Sequence, residues 1–396
     1  MTRTFDPAWI AFSWRGIPWL RFAAAVAAAL WTAEAGTATP GATTPTPAAA
    51  AATAEPRPAV TGPSAPAPVE GVIRMRAEVE ALIQEAGASP PDWWNTVPLA
   101  YPPTLDLTWP DPRGKPYNPN KYIGQYLWSV INENPAKWRE GAKLLHHALV
   151  VNRDDSEALD LTMEALGNLY CDLLLDWPRA VFWWRKAGWA DNAYTATCYW
   201  KMGCKEMAVE VLRRVPETDT RGGNIAKLWA DIGDTEKTLA VADALVRSGH
   251  AEYGYLAGGD ASRQAGLYAK ALGYYQKLLA VAKNKPVKTR AQDSIDAIRL
   301  VAGLDLSKVR DGTYSVGVMA YAGPMEVAVT VRAGRITDVR VTKHQEKQPY
   351  NSLTDTPAQI VRKQGIKGVD AVSSATITSE AIMKATVKAL AQGMRP

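Results

Sequence analysis

Cysteine and histidine are scarce in this sequence, and their spacing excludes several kinds of site. Only three cysteines occur in 396 residues. Cys171, Cys198 and Cys204 form neither an even disulfide framework nor a metal-ligand spacing, and no Cys-x-x-Cys-His haem motif is present. His146 and His147 are adjacent, so on a helix they would point about 100° apart and chelate a metal poorly. The sequence therefore predicts no structural metal site.

Dense positive charge and a dinucleotide-binding motif are also missing. The net charge is only +5 and no dense basic tract occurs, which argues against nucleic acid as a partner. Without a Gly-x-Gly-x-x-Gly motif, an autonomous NAD(P)H-dependent enzyme is not expected. The composition, 47% apolar and 21% charged, is that of a globular protein, and the length allows two or three domains.

The N-terminal region lacks an apolar run long enough to span a membrane comfortably. Three arginines precede the apolar run Phe22–Trp31, namely Arg3, Arg15 and Arg21. This run has about 10 residues, short of the ~20 needed to span a bilayer, and Ala33-Glu34-Ala35 is a small-x-small cleavage site. We interpret residues 1–35 as an export signal, or as a membrane anchor if the longer window Ala8–Trp31 stays uncleaved. No cysteine follows the run, which excludes a lipoprotein anchor.

Two segments of unusual composition follow. Residues 36–70 are rich in Ala, Pro and Thr and have almost no large apolar side chains, which predicts a disordered linker. Within residues 71–120, an amphipathic helix over 71–87 is expected to end at Gly87. The proline-rich stretch after it contains five large aromatic residues, Trp93, Trp94, Tyr101, Trp109 and Tyr117. Such a stretch either wraps over a neighbouring domain or forms an aromatic surface that binds a ligand such as a sugar.

Residues 121–303 are predicted to be helical throughout, with a degenerate repeat. Gly203, Gly233 and Gly266 each stand five positions before a small residue, and Leu175 occupies the same place without a glycine. The small residues fall 28, 30 and 33 positions apart; they are Ala180, Ala208, Thr238 and Ala271. This pattern resembles tetratricopeptide-like helical hairpins, which stack into a solenoid. Such an array either docks partner proteins or only positions its neighbour.

Tryptophan is abundant, fifteen residues against four phenylalanines. Most of these rings lie on the predicted helices and are expected to fill gaps between hairpins. They are Trp128, Trp138, Trp177, Trp183, Trp184, Trp189, Trp200 and Trp229.

Near Leu304 the apolar period changes from about 3.6 to 2, which marks the start of a domain over residues 304–396. Gly312–Val318 reads as a strand. Two further strands alternate apolar and polar residues around a turn at Ala333-Gly334, with inward residues Met325, Val327, Val329, Val331, Val339 and Val341. This predicts an antiparallel meander. Thr356-Pro357 is expected to cap a short helix that stops at Gly365.

A hydroxyl-rich stretch, Asp370–Ser379, precedes the last predicted helix. In this helix Ile382, Ala385, Ala389 and Leu390 repeat at helical spacing, with Lys384 and Lys388 on the opposite face. Free N–H groups and the helix dipole at such a place suit a phosphate or another anion. The alternative is that Thr378 or Ser379 is simply an N-cap, with Glu380 favourable in the first turn.

Residues 308–393 resemble the FMN-binding domain family, which includes the covalent-flavin subunits of the Rnf and sodium-translocating NADH:quinone oxidoreductase complexes. The family pattern, Asp-x-x-Ser/Thr-Gly-Ala-Thr, is matched by four residues, Asp370, Ser373, Ala375 and Thr376. Ser374 stands where the family has glycine. Asp311-Gly312-Thr313-Tyr314, the Val-rich hairpin, and Gln364-Gly365 with Val369-Asp370 follow the same order as in the family. The resemblance implies that Thr376 is joined to FMN through a phosphoester.

The resemblance also implies roles for neighbouring residues. Ala375 and the hydroxyls of Ser373, Ser374, Thr378 and Ser379 would line the phosphate. Asp370 would orient the loop or be recognised by the flavin transferase that loads the domain. His344 and Lys347, in the loop after the last strand, would either face the flavin ring, where a cation favours the reduced anionic form, or belong to a solvated turn.

The fold class expected from these features is a helical-repeat solenoid followed by a small α+β FMN-binding domain with an antiparallel sheet. The expected function is that of an exported electron carrier, with redox partner proteins and a flavin transferase as partners. Two alternatives stay open: a helical-repeat scaffold with non-covalent or no flavin, and a flavin-dependent reductase of a small acceptor. An electron-transfer protein is favoured over an autonomous enzyme.

Overall fold

The computed structural model describes residues 72–218, 225–301, 303–347, 351–372 and 375–394. The predicted export signal (1–35) and linker (36–70) lie outside these residues, as do Ser373 and Ser374. Within the described part of the chain, no helix combines the length and apolar character needed to cross a membrane.

Helices dominate the chain from Arg76 to Val301. In order they are α1 (Arg76–Ala88), α2 (Ile123–Tyr126), α3 (Trp138–Val151), α4 (Ser156–Asp172), α5 (Trp177–Lys186), α6 (Ala193–Lys201), α7 (Lys205–Arg214), α8 (Ile225–Ile232), α9 (Thr235–Arg247), α10 (Ala251–Gln264), α11 (Tyr268–Val281) and α12 (Lys285–Val301). A π-helical segment, Leu127–Asn132, continues α2. The predicted helical region and the fold class are therefore confirmed.

The repeated glycines make the turns inside helical pairs. Gly203, Gly233 and Gly266 join α6 to α7, α8 to α9 and α10 to α11, and their φ angles are +89°, +87° and +75°. This left-handed backbone favours glycine because a Cβ is strained there. Leu175, which has the same place between α4 and α5, also adopts it, with φ +52°. The repeat spacing predicted from the sequence therefore places a left-handed residue at all four turns, including the turn that has leucine in place of glycine.

The small residues of the repeat are buried on the second helix of each pair. All four are at most 1% exposed; they are Ala180, Ala208, Thr238 and Ala271. A larger side chain there would push the paired helices apart. These local features are consistent with helical hairpins, while membership in the tetratricopeptide family stays a resemblance.

The aromatic segment after α1 packs onto the helices. Trp109 is 5% exposed, and its indole Nε1 donates to Thr162 Oγ1 at 2.8 Å. Lys143 Nζ donates to the carbonyls of Trp94 and Val97 at 3.0 and 2.5 Å. These contacts bind the segment to α3 and α4, so the structure supports the wrapping interpretation.

Gly87 has a different role from the one predicted. Helix α1 continues to Ala88, one residue past the glycine. A Cβ at Gly87 would lie 2.0 Å from the ring of Phe182 in α5. The glycine therefore allows α1 to approach α5 closely and does not end the helix.

His146 is enclosed by aromatic rings, in keeping with a packing role. Its Nε2 lies 3.0 Å from the hydroxyl of Tyr170, and its ring makes edge contacts with Trp94 and Trp183 at 4.9 and 5.2 Å. Burial, together with the charge of Arg179, lowers the pKa of His146 to about 4. The described residues contain no cluster of metal-ligating side chains.

The predicted meander is present as three antiparallel strands in the order β1-β2-β3. They are β1 (Gly312–Met319), β2 (Pro324–Arg332) and β3 (Arg335–Lys343). Val327 pairs with Val316 on one side and with Val341 on the other. Ala333 and Gly334 form the two-residue turn, with φ +48° and +70°. This turn matches the twist of the flanking strands.

Helix α13 (Ser352–Lys363) starts earlier than expected. Its N-cap is Asn351, so Pro357 lies inside the helix and Thr356 is not a cap. Thr356 is instead fully buried, and its hydroxyl donates to Ser379 Oγ at 3.0 Å. The helix ends at Lys363, with Gln364 in the left-handed region (φ +55°), close to the predicted stop at Gly365.

Helix α14 (Thr376–Gly393) is covered on two sides. One side packs against β1 and β2, and the other packs against α12 of the helical region. Lys384, predicted on the face opposite the apolar stripe, is 5% exposed and lies 5.9 Å from the ring centre of Tyr275. Lys388 pairs with Asp293 at 2.6 Å. The polar face of α14 is therefore an interface between the two parts of the chain.

Candidate functional site

The hydroxyl of Thr376 lies at the start of the long helix α14. Thr376 is the first helical residue and is half-buried, and its Oγ1 lies 3.4 Å from the carbonyl of Val372. Ala375 occupies the N-cap position, where its methyl group cannot accept the N–H bonds that a Ser or Asp would accept. The first-turn N–H groups and the helix dipole therefore favour an anion beside Thr376.

Thr378 and Ser379 lie within the first turn of α14, so neither is the N-cap. Thr378 is 2% exposed, and its hydroxyl donates to Glu346 Oε2 at 2.9 Å. Ser379 is fully buried; its Oγ accepts from the backbone N–H of Val372 at 3.1 Å and from Thr356. These hydroxyls fasten the motif to the rest of the domain. Their predicted contact with the phosphate stays a prediction.

Glu346 links the loop after β3 to the start of α14. It is 8% exposed, and besides the Thr378 hydroxyl it accepts the backbone N–H of Ala322 at 2.9 Å. His344 and Lys347, on either side, are exposed. The loop is thus close to the motif, but the predicted approach of His344 and Lys347 to the ring stays a prediction. Sequence reasoning missed Glu346, because one carboxylate in a polar loop carries no signal of burial.

Asp370 forms a buried ion cluster with the helical region. Its carboxylate pairs with Lys201, at the end of α6, and with Lys227 of α8. Lys227 also pairs with Asp231 at 2.7 Å. The side chains of Asp370 and Lys201 are 20% exposed, and that of Lys227 is 7% exposed. We call Lys201, Lys227 and Asp231 the lysine clamp.

The lysine clamp keeps Asp370 charged. Burial alone would raise the pKa of Asp370, but the two ammonium groups hold it well below its usual range. Burial would likewise lower the pKa of Lys227, but Asp231 and Asp370 hold it above its usual range. Asp370 and Lys227 are therefore charged at neutral pH, whereas burial, together with the charge of Asp370, raises the pKa of Asp231.

The backbone of Asp370 is also fixed from within its own domain. The side-chain amide of Gln359, in α13, donates to the carbonyl of Asp370 at 2.9 Å and accepts its N–H at 2.9 Å. The side-chain amide of Gln359 thus bonds both backbone groups of Asp370, as a neighbouring strand would. The side chain of Asp370 is therefore aimed at the helical region, and the loop that leads to Thr376 starts from a fixed point.

Arg263 of α10 holds both sides of the same loop. Its Nη1 donates to the carbonyl of Ile366 at 2.9 Å, and its Nη2 pairs with Glu380 in α14 at 2.8 Å. Nη2 also lies 3.5 Å from the carbonyl of Val369. The side chain is 3% exposed. The segment that carries Thr376 is therefore anchored to the helical region at the first residue of the motif, Asp370, and after the motif, at Glu380.

The described residues fit a phosphate-bearing group. A hydroxyl lies at the start of an 18-residue helix whose N-cap is alanine, on a loop fixed at both ends. A phosphoester at Thr376 would place its anionic oxygens at the positive end of this helix. Asp370 is paired with cations, so its charge is neutralised within the clamp and its repulsion of a phosphate is reduced.

Comparison with known proteins agrees with this geometry. Residues 320–391 match the FMN-binding domain family. An uncharacterized protein of Treponema pallidum (strain Nichols) is 39% identical over 88 residues, 22% of this chain and 24% of that protein. The chain thus spans about a quarter of that relative's length. No solved structure matches significantly.

The matched region lies within the small α+β domain and includes β2, β3 and both of its helices, so the predicted resemblance is confirmed there. Its cofactor is FMN, and the chain is a flavoprotein, consistent with an electron carrier. The residues that Arg263 contacts, Ile366 and Glu380, lie within the matched residues. Arg263 itself and the lysine clamp lie outside them. The helical region therefore adds contacts that the family match does not describe.

Proposed function

We propose that this protein is an exported electron carrier whose FMN is joined to Thr376 through a phosphoester. The observation that carries the proposal is the place of the Thr376 hydroxyl, at the first residue of α14 and directly after Ala375. When bound, FMN supplies one- and two-electron redox chemistry. The chain supplies the attachment hydroxyl, the first-turn N–H groups and anchoring contacts at Asp370 and Glu380.

A covalent link has a physical advantage outside the cytoplasm. Free FMN is scarce there, so a cofactor that dissociates is lost. A tether gives an effective concentration on the order of millimolar, which keeps even a weak site occupied. The ring edge can then stay open to redox partners. The sequence of residues 1–35 supports export, and a flavin transferase is the partner that loads the domain.

The helical region, in this proposal, first of all positions the flavin domain. Lys201, Lys227 and Arg263 come from three different helices and converge on the loop and helix that carry Thr376. This favours the positioning interpretation of the array. Docking of redox partners on other helical surfaces is the second part of the proposal.

Substitution of Thr376 tests the attachment. The full chain is produced together with a flavin transferase, and flavin is detected by its fluorescence in the denatured band and by intact mass. Thr376→Val is expected to abolish covalent flavin, because the isosteric valine has no hydroxyl. Thr376→Ser is expected to retain at least part of it.

Thr378→Val is the matched control, since it removes the neighbouring hydroxyl at a residue bound to Glu346. It is expected to keep covalent flavin. Covalent flavin in the Thr376→Val protein would disprove the assignment. A wild-type protein that takes up no flavin when cofactor and transferase are supplied would instead favour the scaffold alternative. Turnover of a small acceptor with an artificial donor would favour the reductase alternative.

Two roles were considered for Asp370: it orients the loop, or the flavin transferase recognises it. Variants of the lysine clamp distinguish these roles. We propose that Asp370 orients the loop through its ion pairs. Lys201→Met removes one ion pair and leaves the carboxylate in place, whereas Asp370→Asn removes the carboxylate. If Asp370 orients the loop, both variants lose flavin loading, and Lys201→Met loses less than Asp370→Asn because the ion pair with Lys227 remains. If only Asp370→Asn loses it, the transferase recognises the carboxylate itself.

A further inference from the structure

Two cysteines that are far apart in sequence meet in the helical region. Cys171, near the end of α4, and Cys198, in α6, have their Sγ atoms 3.6 Å apart. Cys171 is 8% exposed and Cys198 is fully buried. The third cysteine, Cys204, is also buried and occupies the N-cap position of α7. The sequence spacing gave no sign of this pair, because 27 residues and helix α5 separate the two positions.

We propose that Cys171 and Cys198 form a disulfide bond in the exported protein. Both S–H bonds are broken and one S–S bond is formed, with the release of two protons and two electrons. The electrons pass by thiol–disulfide exchange to the disulfide of an extracytoplasmic thiol oxidase, which becomes a dithiol. The proposal goes beyond the flavin function, and it requires the extracytoplasmic location, where disulfides persist.

The geometry needs little adjustment. Thiol sulfurs at 3.6 Å are in contact, and a bond of about 2 Å is reached by rotation of two side chains on helices that are already packed in one core. Cys204 follows the Gly203 turn and stays as the single thiol. One pairing is therefore favoured among the three that three cysteines allow.

The bond would connect α4 to α6, the helix that carries Lys201 of the lysine clamp. Cys198 lies three residues before Lys201 in α6, so one helical turn separates the sulfur from the lysine that pairs with Asp370. A covalent link at Cys198 would limit movement of α6 relative to α4. It would thereby help to keep Lys201 in place against the flavin domain.

The bond is expected to form during folding. In the folded protein, the contact with Cys198 and burial hold the pKa of Cys171 well above its usual range, and an oxidase cannot reach either sulfur. While the helices are still docking, both thiols are exposed and reactive. Once formed, the buried bond is protected from reductants.

Alkylation and intact mass test the proposal on the full chain recovered from the extracytoplasmic fraction of an exporting cell. The protein is denatured in iodoacetamide without reductant. We expect one alkyl group, at Cys204, and a second sample reduced first should carry three. Before alkylation, reduction should add the mass of two hydrogen atoms. Peptide mapping should show one cross-linked peptide pair, containing Cys171 and Cys198.

Serine variants make the outcome specific. Cys204→Ser should carry no alkyl group unless it is reduced, and Cys171→Ser should lose the cross-link. Reduction should lower the Tm of wild type and of Cys204→Ser, but not that of the Cys171→Ser/Cys198→Ser double variant. Three alkyl groups on unreduced wild-type protein would overturn the proposal. A cross-link that includes Cys204 would overturn it as well.

Discussion

Arg263 and Glu380 form an ion pair with an Nη2–Oε1 distance of 2.8 Å, although 117 positions separate them in sequence. Their side chains are 3% and 2% exposed. The pair joins α10 of the helical region to α14 of the flavin domain. A charge buried in this way is stable only with its partner, so the two parts of the chain depend on each other.

Substitution of Arg263 is expected to destabilise the protein strongly. Arg263→Met leaves Glu380 buried without its cation, which costs about 3–5 kcal/mol. The unfolding free energy from urea titration is the measurement. Arg263→Met combined with Glu380→Gln should cost less than the single Arg263 variant, because no unpaired charge remains. Equal losses in the single and double variants would show that the ion pair is not coupled.

Asp370→Asn should be destabilising and should change the acid sensitivity. The two lysine side chains would keep only Asp231 as a counter-charge, which places the loss at the low end of about 3–5 kcal/mol. The folded-state pKa of Asp370 lies below its unfolded value, so its contribution is complete above about pH 4 and is lost as pH falls further. Urea titration at pH 7 and at lower pH measures both effects.

The control for Asp370 is a partly exposed carboxylate, Asp338, whose side chain is 38% exposed. Asp338 pairs with Arg340 at 2.6 Å on the open face of the sheet, and Arg340 is 75% exposed. Asp338→Asn is expected to change stability by less than about 1 kcal/mol. If both aspartate variants lose the same small amount, the buried cluster has no special role.

Asp260 is expected to make the stability of the fold depend on pH in the direction opposite to that of Asp370. It accepts the hydroxyl of Tyr275 at 2.7 Å and faces Glu380, Lys384 and Arg263. Burial and the charge of Glu380 raise its pKa to about 7. The folded state therefore binds the proton more tightly than the unfolded state, and stability falls as pH rises from about 4 to about 7.

Asp260→Asn should remove this component, because the amide keeps the acceptor oxygen and carries no charge. The difference in Tm, variant minus wild type, should be near zero at pH 4 and reach several degrees at pH 8. Asp243→Asn is the matched control, since this exposed aspartate accepts the hydroxyl of Tyr274 at 3.1 Å. A Tm difference for Asp260→Asn that does not change with pH would contradict the prediction.

Two helical glycines are expected to respond to alanine with opposite signs. A Cβ at Gly167 in α4 would lie 2.2 Å from the indole nitrogen of Trp184, so Gly167→Ala should cost about 1–3 kcal/mol. Gly273 in α11 has no atom within 4 Å of its Cβ position, so Gly273→Ala should stabilise by about 0.5–1 kcal/mol. Thermal unfolding of the two variants is the measurement. Destabilisation by both would contradict the open space found at the Cβ position of Gly273.

Local features of the fold could be predicted because their causes lie within a few residues. The turn at Ala333-Gly334 and the inward valines of β2 follow from alternation and turn chemistry, and the structure has both. The repeat spacing also predicted the turn at Leu175, whose φ of +52° lies in the left-handed region. The predicted start of α13 was wrong. Proline is typical of the first position of a helix, which suggested a start at Pro357. In the structure the N-cap is Asn351, so the helix begins about one turn earlier and Pro357 lies inside it.

The candidate site could be predicted only in part. The motif identified Thr376, Asp370 and their neighbours, and the family match confirms the domain that contains them. Lys201, Lys227 and Arg263 were not predicted, because charged residues on amphipathic helices normally face solvent. Their partners in the flavin domain are 103 to 169 positions away, and only the packed structure brings them together.

The double coverage of α14 has a consequence for any attempt to divide this chain. A fragment cut near residue 304 would carry Asp370 and Glu380 without the cations that neutralise them, and would expose the side of α14 that meets α12. The flavin domain is a distinct stretch of sequence, but two of its buried carboxylates have their cationic partners in the helical region. Grafting it onto another protein would require the arginine and both lysines to travel with it.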